Sequence, residues 1–238
     1  MDNYKYPPQY RGNGFSSSAV SVASQALKGV YLRMTFGLLI TAIVSWFLSQ
    51  STGYITYIST HSWTMWVIII AEFALLFGIQ GALMKLSSPV AAFLFYLFSA
   101  VNGTWLAPIF LVYTGTSIAK TFFITAGTFA AMSVYGYTTK QDLTKFGQYL
   151  IYALIGLVIA MIVNIFTKSS ALDWIISIVG VFLFIGLTAW DTQAIKRMAA
   201  QMPASEIGRL ATLGALNLYL DFVNLFLFLL RIFGNTRD

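Results

Sequence analysis

Of the chain's 238 residues, 58% are hydrophobic and only 9% are charged, against roughly 25% charged in a soluble domain, so there is too little charge to cover a water-facing surface. The absence of cysteine excludes disulfides, thiolate metal sites and cysteine nucleophiles, and the single histidine, His61, argues against a histidine-rich zinc centre. The formal charge of +6 is spread thinly along the chain, which fits membrane-orienting loops rather than nucleic acid. Backbone groups in hydrocarbon must pair within a helix or a closed barrel. Barrel strands would alternate apolar and polar residues over short runs, whereas the apolar stretches here are long and unbroken. An all-α integral membrane protein follows.

Residues 1–26 combine Tyr4, Tyr6, Pro7, Pro8, Gly12 and Gly14 with Ser16, Ser17 and Ser18. They have no apolar core of the kind a cleavable signal peptide carries, and read as a disordered cytoplasmic arm ahead of a membrane domain over 27–238. Seven spans follow, near 30–49, 62–85, 89–112, 118–137, 146–167, 173–195 and 210–232. Each approaches the ~20 residues needed to cross a ~30 Å hydrocarbon core. With the N-terminus inside, Lys5, Arg11, Lys28, Arg33, Lys85, Lys140, Lys145, Lys196, Arg197 and Arg209 are cytoplasmic. Only Lys120, Lys168, Arg231 and Arg237 lie outside, and this bias orients the chain in a cell membrane. Arg231 is the weakest member of the set, because a re-entrant last segment would bring it inside. Ser99, Gly103 and Ala107, and likewise Gly127 and Ala131, stand four residues apart and suit close helix packing. Pro108 should kink the third span.

Charges inside the spans carry the functional information, because burying one is costly. Glu72, Asp191 and Asp221 qualify, while Asp173 falls at the outer interface. Asp191 and Asp221 each stand 15 residues from Glu206, the centre of the last connection. In an antiparallel helical hairpin, equal distance from the turn means similar depth, so the two carboxyl groups can meet. Gly214, Asn217, Asp221 and Asn224 share one face of the last span, and Thr188, Asp191 and Thr192 share a face of the sixth. Two facing carboxylates cannot easily both ionise, so the pair should share a proton and act as a proton-dependent latch. When ionised, it should attract a cation. Calcium takes six to eight oxygen ligands, more than two aspartates supply, which points to transient passage rather than storage. Glu72 is a possible accessory cation or pore-lining site together with Asn217 and Asn224. Lys85 is a possible counter-ion, although its stem also suits snorkelling to the lipid surface.

Three segments resemble the Bax inhibitor-1 family. LYLDFVNLFLFLLRIFG (218–234) is similar to its last-helix signature, LTAWDTQAI (187–195) to its sixth-helix motif, and FSAVNGTWLAPIF (98–110) to its third helix. The resemblance covers roughly residues 25–234. It implies a central seventh helix enclosed by the other six and a calcium leak gated by pH through an aspartate pair, which Asp191 and Asp221 match. It further implies that Glu72 corresponds to an acid of the second helix and Lys85 to a basic residue at that helix's inner end. Ala107 stands where many relatives have glycine before the proline. Calcium is then the permeant species rather than a cofactor, and the surroundings are the lipid bilayer, calcium and protons.

Two competing readings, one of them an enzyme, fail on residues. An aspartyl intramembrane protease has Tyr-Asp, Gly-x-Gly-Asp and Pro-Ala-Leu motifs, but Asp191 follows Trp190, Asp221 follows Leu218, Tyr219 and Leu220, and the third motif is absent. A retinal protein needs a lysine in its last helix, and residues 210–230 have none. The remaining alternative is a non-conducting regulator that binds a membrane-anchored ATP-dependent protease, a role to which bacterial members of the resembling family have been linked.

Overall fold

A computed structural model describes residues 17–82 and 86–237, with the side chains of 17–20 and 82 excepted. The helices are α1 (Ser17–Ser49), α2 (Thr52–Thr60), α3 (Trp63–Ala82), α4 (Ser88–Leu106), α5 (Ile109–Val112), α6 (Gly115–Thr138), α7 (Thr144–Thr167), α8 (Ser170–Gln201) and α9 (Ile207–Phe233). Among the described residues, seven stretches are long and apolar enough to cross a membrane, α4 and α5 together forming one of them. These are the seven spans read from the sequence. Their outward surfaces are apolar: Phe123, Phe166 and Phe182 are 73%, 81% and 70% exposed. A soluble protein would hide such side chains, whereas a bilayer accepts them.

The first helix takes in the last ten residues of the expected arm. Residues 17–26 are helical because Ala23 and Ala26 pack, fully buried, with Ala199 and Leu210. Residues 1–16 fall outside the described residues. The loop after α1 also folds. Ser51 caps α2 by accepting from the Tyr54 N–H, and the Tyr54 hydroxyl donates to the Thr104 carbonyl at 2.7 Å. Ala107 and Pro108 separate α4 from α5 in right-handed helical conformation, which is the expected proline break.

The last helix is the core of the bundle. Of its apolar window, 67% lies inside protein, against 6% for α3 and for α7. Direct packing on α9 comes from α1, α4, α6 and α8, while α3 packs chiefly on α4 and α7 on α8. The six surrounding spans thus stand in two shells. Arg231 meets Asp173 at 3.3 Å, which places the end of α9 beside the start of α8. A re-entrant last segment would separate those two residues, so α9 crosses the bundle completely.

Small residues act where expected in one place and fail in another. Ser99, Gly103 and Ala107 are buried, and a Cβ at Gly103 would come within 2.9 Å of the Thr41 carbonyl oxygen and of Val44 Cβ. Gly127 and Ala131 are exposed, and Gly127 has nothing near it. The packing face of α6 is instead Ser117, Thr121, Thr125, Phe129, Ser133 and Gly136. Both stripes share the four-residue period, and the sequence pattern alone does not say which of them turns inward.

Candidate functional site

Helices α8 and α9 form the antiparallel hairpin that the turn-distance argument requires, and Asp191 and Asp221 come into side-chain contact across it. They are 9% and 4% exposed. Asp221 Oδ2 is buried without a hydrogen-bond donor. Around the pair, Thr188 is tied to the Phe184 carbonyl at 2.7 Å, and the Thr192 hydroxyl lies 3.4 Å from the Tyr31 hydroxyl of α1. The polar face expected on α8 therefore points into protein.

Asp191 and Asp221 stand on the wall of a cavity of about 710 Å³. Glu72, Asn217 and Asn224 line the same space, so five of the six site residues expected from the sequence come together. Lys85, the expected counter-ion, lies outside the described residues. Among the described residues, no three His, Cys, Asp or Glu side chains converge closely enough to hold a metal ion. Glu72 therefore faces the aspartates across the cavity and does not join them as a third direct ligand. Asn224 spends its amide on the Leu220 carbonyl at 2.8 Å, which leaves its side-chain oxygen as the group able to serve a cation.

Sequence reasoning missed the partner of Glu72. Asn102 of α4 donates from Nδ2 to Glu72 Oε1 and accepts at Oδ1 from the Tyr219 hydroxyl at 3.0 Å. The Tyr219 oxygen in turn lies 2.6 Å from Thr41 Oγ1. The Thr41 hydroxyl also faces the Ser99 carbonyl of α4 at 2.8 Å and the Gly37 carbonyl of its own helix at 3.0 Å. A single chain of hydrogen bonds therefore runs from α1 through α9 and α4 to α3. Tyr219 is 0% exposed and wedged edge-on against Phe95 and Phe98. The signal was available: Glu72 and Asn102 each stand 15 residues from Ser87, the same relation that found the aspartate pair about Glu206.

Two residues after Asp191, Gln193 holds the α6–α7 connection. Its Oε1 accepts from the Leu143 N–H at 2.9 Å, and its Nε2 donates to the Gln141 carbonyl at 2.8 Å. Lys196 adds a bond to the Tyr137 carbonyl at 2.7 Å. Asp142 in this connection is held well below the usual carboxylate range by hydrogen bonds from Thr144 and Arg197. Its stabilising contacts are thus complete above about pH 4 and fade as pH falls through the lowered value. Full exposure keeps that contribution small. Gln193→Ala should remove both bonds while leaving the span in place. At about 1 kcal/mol each, the Leu143 amide should exchange roughly 30-fold faster with solvent deuterium. Unchanged protection would show that the connection is held by something other than Gln193.

Residues 23–238 match the family model described as Inhibitor of apoptosis-promoting Bax1. An inner membrane protein of Escherichia coli K12, YbhL, is 50% identical over 211 residues, covering 87% of this chain and 90% of that protein. An uncharacterised protein of Borreliella burgdorferi is 46% identical over 221 residues, 92% of this chain and 95% of the relative. Another from Deinococcus radiodurans is 40% identical over 209 residues, 87% and 89% of the two chains. With seven membrane-length helices, a central last helix and a match over nearly its whole length, the chain belongs to the Bax inhibitor-1 family of membrane proteins.

Proposed function

We propose that this chain is a pH-sensitive calcium leak of the cell's inner membrane, its N-terminus cytoplasmic, with Asp191 and Asp221 as proton sensor and gate. The observation that carries the reading is the contact of two carboxyl groups inside the bundle, on the wall of a roomy cavity, with Asp221 Oδ2 lacking a donor. Sharing one proton, the pair is drawn together by an O–H···O bond. With both ionised it repels itself and draws a cation. Among the described residues, the other charged group facing this cavity is Glu72 from α3. Helices α4 and α7 contribute Asn102, Trp105 and apolar side chains, and α1 offers the Tyr31 hydroxyl behind Thr192. Asn217 and Asn224 add neutral oxygens beside the pair. Water would have to complete the six to eight ligands calcium prefers, which suits passage rather than retention.

Calcium flux into proteoliposomes across about pH 5–9 tests the reading, a window broad enough for a coupled carboxyl pair. Wild-type flux should change several-fold through one midpoint. Asp191→Asn and Asp221→Asn should each shift that midpoint or flatten the profile, because an amide can neither lose the proton nor carry the charge. If folded wild-type protein passes no calcium at any pH, the leak reading falls and the regulatory-partner reading takes its place.

A further inference from the structure

The cavity beside the aspartates is long, and one flank of it is thinly walled. Its lining runs from Gln80 to Ile69 on α3 and from Ile151 to Met161 on α7, about 15 Å along the helix axes at ~1.5 Å per residue. Helices α3 and α7 are the two outer spans, each packed chiefly on a different neighbour. Val158, which lines the cavity from α7, is 44% exposed, and α3 and α7 do not pack closely on each other. The space therefore borders the bilayer as well as the protein core. Its volume of about 710 Å³ falls in the range of small-molecule sites, which bury an apolar body and fix it by a few polar groups.

The lining has a definite chemical character. Its acids are Glu72, Asp191 and Asp221, and no lining residue among those described is basic. Aromatic rings stand among them, including Phe73, Trp105, Trp190 and Phe228. Asp221, 4% exposed, carries a buried oxygen with no donor. Carboxylates with too few oxygens around them for a hard divalent ion, set between aromatic faces, suit a weakly hydrated monovalent cation with an apolar body.

We propose that this cavity is a binding site for hydrophobic monovalent organic cations, which enter from the bilayer between α3 and α7 and place their charge between Glu72 and Asp221. The apolar body lies along Leu154 and Val158 of α7, and the aromatic rings contact the charged end. The site uses the same aspartates as the leak reading but does not require conduction.

Tetraphenylphosphonium, a permanent cation, and tetraphenylborate, an anion of the same shape, provide the test by equilibrium dialysis. The full-length protein is placed in zwitterionic nanodiscs, with protein-free nanodiscs as the reference. The phosphonium should bind saturably, about one per chain, and the borate should not exceed the reference. Asp221→Asn combined with Glu72→Gln should weaken phosphonium binding at least tenfold. Val158→Trp, which leaves every acid in place and fills the mouth, should weaken it similarly. Equal uptake of the two ions, or phosphonium binding untouched by both variants, would overturn the site. Calcium flux with the same purified protein in proteoliposomes separates the two readings: flux without phosphonium binding ends this inference alone, and binding without flux ends the leak alone.

Discussion

Gly136→Ala should destabilise the bundle by about 1–3 kcal/mol, the cost of overpacking a tight interior. A Cβ at Gly136 would lie 2.2 Å from the Ala189 carbonyl oxygen, 2.9 Å from its carbon and 3.0 Å from its Cα. All three atoms are backbone, so no rotamer change relieves the clash, and α6 must move away from α8. Such a shift is transmitted to the functional pair, since Ala189 stands two residues before Asp191 on the same helix. Gly127→Ala on α6 is the matched control. Nothing lies within 4 Å of Gly127, so alanine there should be neutral or gain up to about 1 kcal/mol of helix propensity. Thermal unfolding in detergent, read as the folded fraction left after heating, distinguishes the two. Equal midpoints for the two variants would mean that α6 and α8 are not closely packed at this point.

Asn102→Leu should have the second large effect, about 2 kcal/mol. The substitution takes away the acceptor for Tyr219 and the donor to Glu72 at once. Single hydrogen bonds between membrane helices are individually worth about 0.6 kcal/mol, which alone would give a small loss. The larger figure comes from leaving a carboxyl group beside an apolar wall without its partner. It follows that the loss should be recovered in large part when Glu72 is also replaced. The double variant Glu72→Leu with Asn102→Leu should unfold at higher temperature than Asn102→Leu alone. Additive losses in the double variant would show that Glu72 and Asn102 stabilise the bundle independently.

The legible parts of this molecule were those governed by one dimension. Span number followed from length and hydropathy, and membrane depth followed from counting residues outward from a turn. That count located Asp191 opposite Asp221, and applied to Ser87 it also relates Glu72 to Asn102. Rotation about each helix axis was harder to read. Gly127 and Gly136 stand on different faces of α6 that both carry small residues, and contact with Ala189 marks the face that turns inward. In water, the hydrophobic face of a helix reveals its inward side. In a membrane both faces are apolar, so that signal is lost. Tyr219 illustrates the consequence: amid LYLDF it reads as one more large apolar residue, yet its hydroxyl joins α9 to both α1 and α4. The start of α1 was missed for a different reason. Alanine and serine are ambiguous residues, and the helix over 17–26 depends on Ala199 and Leu210, remote in sequence.

Past the end of α9 the chain forms a short antiparallel bridge, Tyr113 with Thr236. The Arg237 N–H reaches the Val112 carbonyl at 2.8 Å, and the Thr114 N–H reaches the Asn235 carbonyl at 3.1 Å. At its opposite end α9 is held through the long side chain of Arg33, which donates to the Gly208 carbonyl at 2.7 Å. Beside Gly208, Leu210 is buried against Ala23, Ala26 and Ala199, so the helix is fastened near both ends, like a beam on two supports. Asp221 lies 12 residues from Phe233 and 13 from Gly208, about 18–20 Å from either support. A beam held at both ends deflects most at midspan, so a bow of ~1.6 Å there, enough to break or remake a hydrogen bond, would be felt first at the Asp221 carboxyl group.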